Sequence, residues 1–177
     1  MVALVIGHSI KDKGAYNSTY NISEFIFNEA LVKEVSTQLD SRYIDNVIIY
    51  RRTLQELPND INEYDPSFVI SFHCNAFNKV ATGSEVLYWH NSDNSEILAK
   101  ILQTELVDIF GLTDRGIKTI YDDDRGAFLL KYVKAPCVIL EPFFIDNDND
   151  YSYALEKYDK LVEAIVNGIS SYAEINK

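Results

Sequence analysis

His73 stands in Ser71-Phe72-His73-Cys74-Asn75-Ala76, directly after the apolar run Ser67-Phe68-Val69-Ile70. That placement predicts an imidazole at the carboxyl end of a buried strand. The chain has three histidines, and His8 takes an equivalent place in Val2-Ala3-Leu4-Val5-Ile6-Gly7-His8. A third such run, Val138-Ile139-Leu140, ends on the carboxylate of Glu141. In an open α/β sheet, ligands bind outside the carboxyl ends of the strands. Two imidazoles and a carboxylate delivered there are what metal-assisted hydrolysis needs, nitrogen donors for the ion and a base for its water.

A catalytic zinc takes three protein ligands from His and Asp/Glu and leaves one position for water. His8 and His73 supply the nitrogens. The third ligand should be a carboxylate near His8, and Glu24 opens the first long helix after the polar tract at residues 11–21. Glutamate in a first helical turn is also favoured by the macrodipole alone, so position leaves both readings of Glu24 open. Glu29 and Glu34 lie further along the same helix and are poorer candidates. Glu141 sits between Pro136-Cys137-Val138-Ile139-Leu140 and Pro142-Phe143-Phe144-Ile145, where a carboxylate is costly to bury without a cation or a proton. A nearby metal and its bound water supply the reason; the alternative is a salt bridge to Arg115 or Arg125. Asn75 either orients a ligand or substrate or forms a turn. His90, where a strand gives way to the polar turn Asn91-Ser92, reads as a surface residue.

The elements that must position these groups are short. Apolar runs at 2–6, 46–50, 67–72 and 136–141 are continuous and rich in Val, Ile and Phe, which predicts central strands buried on both faces. Residues 83–89 alternate less cleanly and read as a further strand at an edge. Helices are expected at 24–40, with the stripe Phe27, Leu31, Val35 and Leu39; at 94–110, closed by Gly111; and at about 158–173, with Leu161, Ile165 and Ile169. Residues 11–21, 122–126 and 146–151 are expected to be loops. The tract Asp146-Asn147-Asp148-Asn149-Asp150 lacks the Gly and Glu of a calcium loop, with Tyr151 and Lys157 at those positions, and reads as a solvated turn. Strands alternating with helices predict a single α/β domain over residues 1–177. It has three layers, with a mostly parallel twisted sheet carrying helices on both faces.

Composition narrows the partners. A chain of 177 residues, 47% hydrophobic, suffices for one well-buried core. The net charge of -11 argues against nucleic acid and anionic membranes, and no stretch approaches the roughly 20 apolar residues of a membrane span. The N-terminus lacks a basic region ahead of its apolar run, so no signal peptide is expected. Cys74 and Cys137 are isolated and read as small buried residues in a reducing compartment.

These residues together resemble the zinc-dependent N-acetylmuramoyl-L-alanine amidases of the type-3 class, which cut peptidoglycan. The motifs that carry the resemblance are Gly7-His8, Glu24-Phe25-Ile26-Phe27-Asn28, Ser71-Phe72-His73-Cys74-Asn75-Ala76, Gly83-Ser84-Glu85-Val86-Leu87-Tyr88, Arg115-Gly116-Ile117-Lys118 and Pro136-Cys137-Val138-Ile139-Leu140-Glu141. Their order matches the family's over almost the whole chain. The resemblance implies that His8, Glu24 and His73 are zinc ligands and Glu141 the catalytic acid/base, with Asn75 and Arg115 as substrate contacts. Gly7-His8-Ser9-Ile10 and Glu85-Val86-Leu87-Tyr88-Trp89 look most like the catalytic domains of phage endolysins acting on clostridia-like walls. Two departures stand out: Ser9-Ile10 follows His8 where the family often has Gly-Gly, and Tyr121-Asp122-Asp123-Asp124-Arg125 forms an insert before the last strand.

The expected activity is therefore hydrolysis of the amide between N-acetylmuramic acid and L-alanine. The expected setting is an enzyme made in the bacterial host cytoplasm that reaches the wall after holin-type release. No wall-binding domain is visible. A zinc exopeptidase is the rival within hydrolases, although such sites often carry two metals and this chain has few spare donors near its strand ends. A non-enzymatic wall-binding module of the same fold is the rival outside them, and it would be expected to lack Glu141 or one ligand.

Overall fold

The computed structural model describes residues 1–175. The elements run β1 (Val2–Ile6), β2 (Tyr16–Asn17), β3 (Ile22–Ser23), α1 (Glu24–Ser41), β4 (Asn46–Tyr50), α2 (Leu57–Asn62), β5 (Phe68–Phe72), β6 (Ser84–Trp89), α3 (Asp93–Glu105), β7 (Asp114–Ile120), α4 (Ala127–Tyr132), β8 (Cys137–Glu141), α5 (Asp148–Glu156) and α6 (Tyr158–Ile175). One six-stranded sheet has the order β4-β1-β5-β8-β6-β7, and β2 and β3 form a small separate ribbon. Every pair in the main sheet is parallel except β6 with β8.

The strands β1, β5 and β8 are buried along their whole length, which is why they read as unbroken apolar runs. Successive side chains point to opposite faces. Leu4, Ile6, Ile70, Phe72, Val138 and Leu140 pack in one core with α1, α3 and α6. Val5, Val69, Cys137 and Ile139 pack in a second core with residues of α2 and α4, among them Leu57, Ile61, Leu129 and Leu130. These are the three layers expected. The stripes Phe27, Leu31, Val35, Leu39 on α1 and Leu161, Ile165, Ile169 on α6 are all buried. After α3 the chain makes one π-helical turn, Leu106–Phe110, and stops at Gly111, whose φ of 88° supplies the expected left-handed cap. No helix among the described residues is long and apolar enough to cross a membrane.

Two expectations need correcting. The strand near 83–89 is not at an edge: β6 lies between β8 and β7, and β7 forms the edge. That strand contains Asp114, Arg115 and Lys118 and is largely open to solvent, so it gives no hydrophobic pattern. Residues 146–151 are not a solvated turn. Asn147 caps α5 by accepting from the backbone of Asn149 and Asp150, and α5 starts at Asp148. Asp150 is buried, accepting from Gly83 N at 3.3 Å, Phe144 N at 3.0 Å and the Thr82 hydroxyl, so it ties the start of β6 to the chain leaving β8. The short helices α2 and α4 were also not anticipated; at 6 residues each they are too brief to show a helical period.

Candidate metal centre

Register delivers the site. Ile6 pairs with Phe72 and Phe72 with Leu140, so the next row holds Gly7, His73 and Glu141, with His8 one residue beyond. Gly7 donates to Phe72 O at 2.8 Å and His73 to Leu140 O at 2.9 Å, extending the pairing into that row. A Cβ on Gly7 would lie 2.2 Å from Phe72 O and 2.7 Å from the His73 ring, so only glycine lets β1 pass this close. His8 then turns with a φ of 66°, in the left-handed region, and its ring meets that of His73 edge-on at 5.1 Å.

Glu24 comes from the other side of the row, at the first residue of α1. It is fully buried between the two histidines, with Oε1 at 2.9 Å from His73 Nδ1 and Oε2 at 3.1 Å from His8 Nε2. The backbone of Cys74 and of Ala15 each donates to it at 3.0 Å. Burial pushes the Glu24 carboxyl up, but its contacts with His73 and His8 outweigh that and hold it well below the usual carboxylate range. Burial pushes His73 down, only partly offset by Glu24. Gly14, with a φ of +72°, closes over the pair; a Cβ there would meet Glu24 Oε2 at 2.5 Å and the His8 ring at 2.6 Å.

One donor atom from each of His8, Glu24 and His73 lies within 4.8 Å of the others, so the group could hold a metal ion. A feature independent of that spacing agrees. His8 Nδ1 and Nε2 are buried without a well-directed hydrogen bond, although His8 lies within ion-pair distance of Glu24, and Glu141 Oε2 is buried with no partner. Buried polar atoms are normally paired. Several unpaired polar atoms on one cleft fit a site for a cation and its bound water.

Glu141 forms no ion pair with Arg115 or Arg125 among the described residues, which removes the salt-bridge alternative. Burial raises its carboxyl well above the usual range, and the charges of Glu24 and Glu85 raise it further while Arg125 lowers it. A cleft of about 240 Å³ is lined by His8, His73 and Glu141 on the sheet side and by Leu54, Phe128 and Arg125 across from them.

Asn75 and Arg115 are brought together, but in a neighbouring depression. Asn75 Nδ2 donates to one oxygen of Glu85, and Arg115 Nε donates to the other at 2.8 Å while stacking over Phe144 at 4.8 Å. Glu85 faces Glu141 in the β6–β8 register. His90 lies at the opposite end of the sheet, because β6 runs antiparallel to β8, and it is half-buried against Tyr121 rather than on the open surface. Cys74 and Cys137 are buried and unbridged, and burial raises both thiols. Sequence reasoning missed Arg51 on the cleft, although it stands at the carboxyl end of β4, where the rule that found His8 and His73 also applies.

The model of the N-acetylmuramoyl-L-alanine amidase family matches residues 2–171. The chain belongs to this family. It is 31% identical over 175 residues to the N-acetylmuramoyl-L-alanine amidase LytC of Bacillus subtilis strain 168, a stretch that makes up 94% of this chain and 34% of LytC. It thus spans about a third of that relative's length. It is 29% identical to the protein YqiI of the same strain, covering 94% of this chain and 81% of YqiI. Among solved structures, the N-acetylmuramoyl-L-alanine amidase from Clostridium difficile 630 superposes with a TM-score of 0.86 at 26% identity, covering 98% of this chain and 96% of that one.

Proposed function

We propose that this chain is a zinc-dependent N-acetylmuramoyl-L-alanine amidase that hydrolyses the amide joining the lactyl group of N-acetylmuramic acid to L-alanine in peptidoglycan. The observation that carries the reading is the His8–Glu24–His73 group, half-buried around a fully buried Glu24, beside Glu141 with its unpartnered Oε2, in a chain of this family. His8, Glu24 and His73 would hold the ion. A bound zinc supplies a water acidified toward neutrality and a Lewis acid for the developing oxyanion.

The rest is the work of the chain itself. Glu141, on a rigid strand end, accepts the proton of the attacking water and returns it to the leaving amine of L-alanine. Burial raises the proton affinity of its carboxyl, and a cation bound beside it would favour the ionised form that accepts a proton. Glu24 accepts hydrogen bonds on both oxygens and lies against both histidines, which favours the ligand role over the base. Asn75 and Arg115, joined through Glu85, shape the adjoining wall that would meet the substrate. The likeness of Gly7-His8-Ser9-Ile10 and Glu85-Val86-Leu87-Tyr88-Trp89 to endolysin catalytic domains supports a place in phage-induced lysis. The enzyme would then be made in the host cytoplasm and released to the wall by a holin-type route.

Digestion of purified walls tests the activity. New amino-terminal alanine without new reducing sugar ends is the expected product pattern. Amino acids shed one at a time would mean an exopeptidase, and no release with retained wall binding would mean a binding module; either contradicts the proposal.

A further inference from the structure

Two guanidinium groups line the cleft that holds Glu141, and they differ in state. Arg51 donates to the Asp12 carboxylate, so its charge is already matched. Arg125 makes no hydrogen bond and no ion pair among the described residues, although three aspartates precede it directly. Two of those acids are engaged elsewhere: Asp122 pairs with Lys131, and Asp124 accepts from Tyr121 N at 2.8 Å. The insert that carries Arg125 is pinned to the sheet. Gly126, with a φ of +90°, lies so close to β8 that a Cβ would meet Ile139 Cδ1 at 2.6 Å. Ala127 N donates to Asp124 O at 3.2 Å and Leu130 N to Gly126 O at 3.2 Å, which fixes the turn into α4.

A guanidinium on a fixed turn beside an apolar cleft, with an open fork, can take a planar anion; carboxylates bind such a fork through two parallel hydrogen bonds. Arg125 shares the lining of this cleft with His73 and Glu141. Arg125 is solvent-exposed, so on a chain of net charge -11 its guanidinium is open to an incoming anion at the cleft.

We propose that Arg125 is a specificity-determining residue that binds a free carboxylate on the stem peptide, close beyond the scissile amide, and that residues 121–125 place it there. The inference rests on the amidase reading and names the substrate feature which that site selects.

The test uses two preparations of soluble, uncrosslinked peptidoglycan strands that differ only in whether the second stem residue carries a free or an amidated α-carboxyl. The value of kcat/KM for alanine release is measured for wild type, Arg125→Gln and Arg125→Lys. Wild type is expected to prefer the free acid by about ten- to a hundredfold, the range of a charge-assisted hydrogen bond. Arg125→Gln should bring that ratio close to one, mainly through KM, and Arg125→Lys should recover part of it by restoring charge without the fork. Loss by the same factor on both substrates, or no change on either, would overturn the specificity role while leaving the amidase reading intact. Release of alanine from neither substrate by wild type would overturn both.

Discussion

Glu24 and Glu141 are the same residue type in opposite situations. Both are buried, but Glu24 accepts from two backbone amides and lies against two histidines, whereas Glu141 Oε2 has no partner. One carboxyl is therefore held low and the other high, a split that fits the proposed roles of ligand and base. Glu141→Gln should keep its zinc while losing roughly a hundredfold or more in rate, because the amide cannot accept the water's proton. Glu24→Gln should instead lose metal affinity. Metal content and rate measured on both variants check this; the reverse pattern would exchange the two roles. Stability gives a second reading of Glu141. A carboxyl whose folded pKa lies above its unfolded value stabilises the fold fully below the unfolded value, and loses that contribution as pH rises through the folded one. Glu24 and His73, both held low, contribute in the opposite sense and are lost toward acid. Between about pH 5 and 8 the melting temperature of metal-free Glu141→Gln should therefore fall less, or rise more, than that of metal-free wild type. Parallel curves would show that Glu141 is not strained in the metal-free fold. Position alone left Glu24 open in the sequence, because what decides its role is contact with His73, 49 residues away, and with His8.

At the scale of elements, legibility followed burial. The strands β1, β5 and β8 were readable because both of their faces are covered, and they carry His8, His73 and Glu141 at their ends, so most of the site was readable with them. The helices α1 and α6, with one buried stripe each, were equally plain. The edge strand β7 has no such constraint, and without it the place of β6 inside the sheet could not be inferred. The acidic tract at 146–150 misled for a related reason. Its composition is that of a solvated loop, yet Asp146 accepts from the backbone of Phe77 and Lys79, Asp148 from Asn17 and Thr19, and Asp150 from the start of β6. These acids serve as braces between distant loops. Only the folded chain brings their donors within reach, so composition carried no sign of them.

For the molecule as a whole, charge governs approach to substrate. Gram-positive walls carry anionic polymers, and a chain of net charge -11 is repelled by them over a Debye length of about 10 Å at 0.1 M salt. A single cation such as Arg125 does not reverse that field. Lysis of whole cells by this chain should rise as salt is added from very low ionic strength and then level off, and walls stripped of their anionic polymers should respond far less. A lytic rate that falls with salt on intact walls would show an attractive patch stronger than the net charge.

The proposed chemistry depends on a metal held by His8, Glu24 and His73. Its most direct test is release of amino-terminal alanine from purified walls before and after complete removal of metal by a chelator, and again after zinc is restored. Release should cease on removal and return with one zinc per chain, and His73→Ala should neither hold the ion nor cleave. Full alanine release from verifiably metal-free protein would contradict the account.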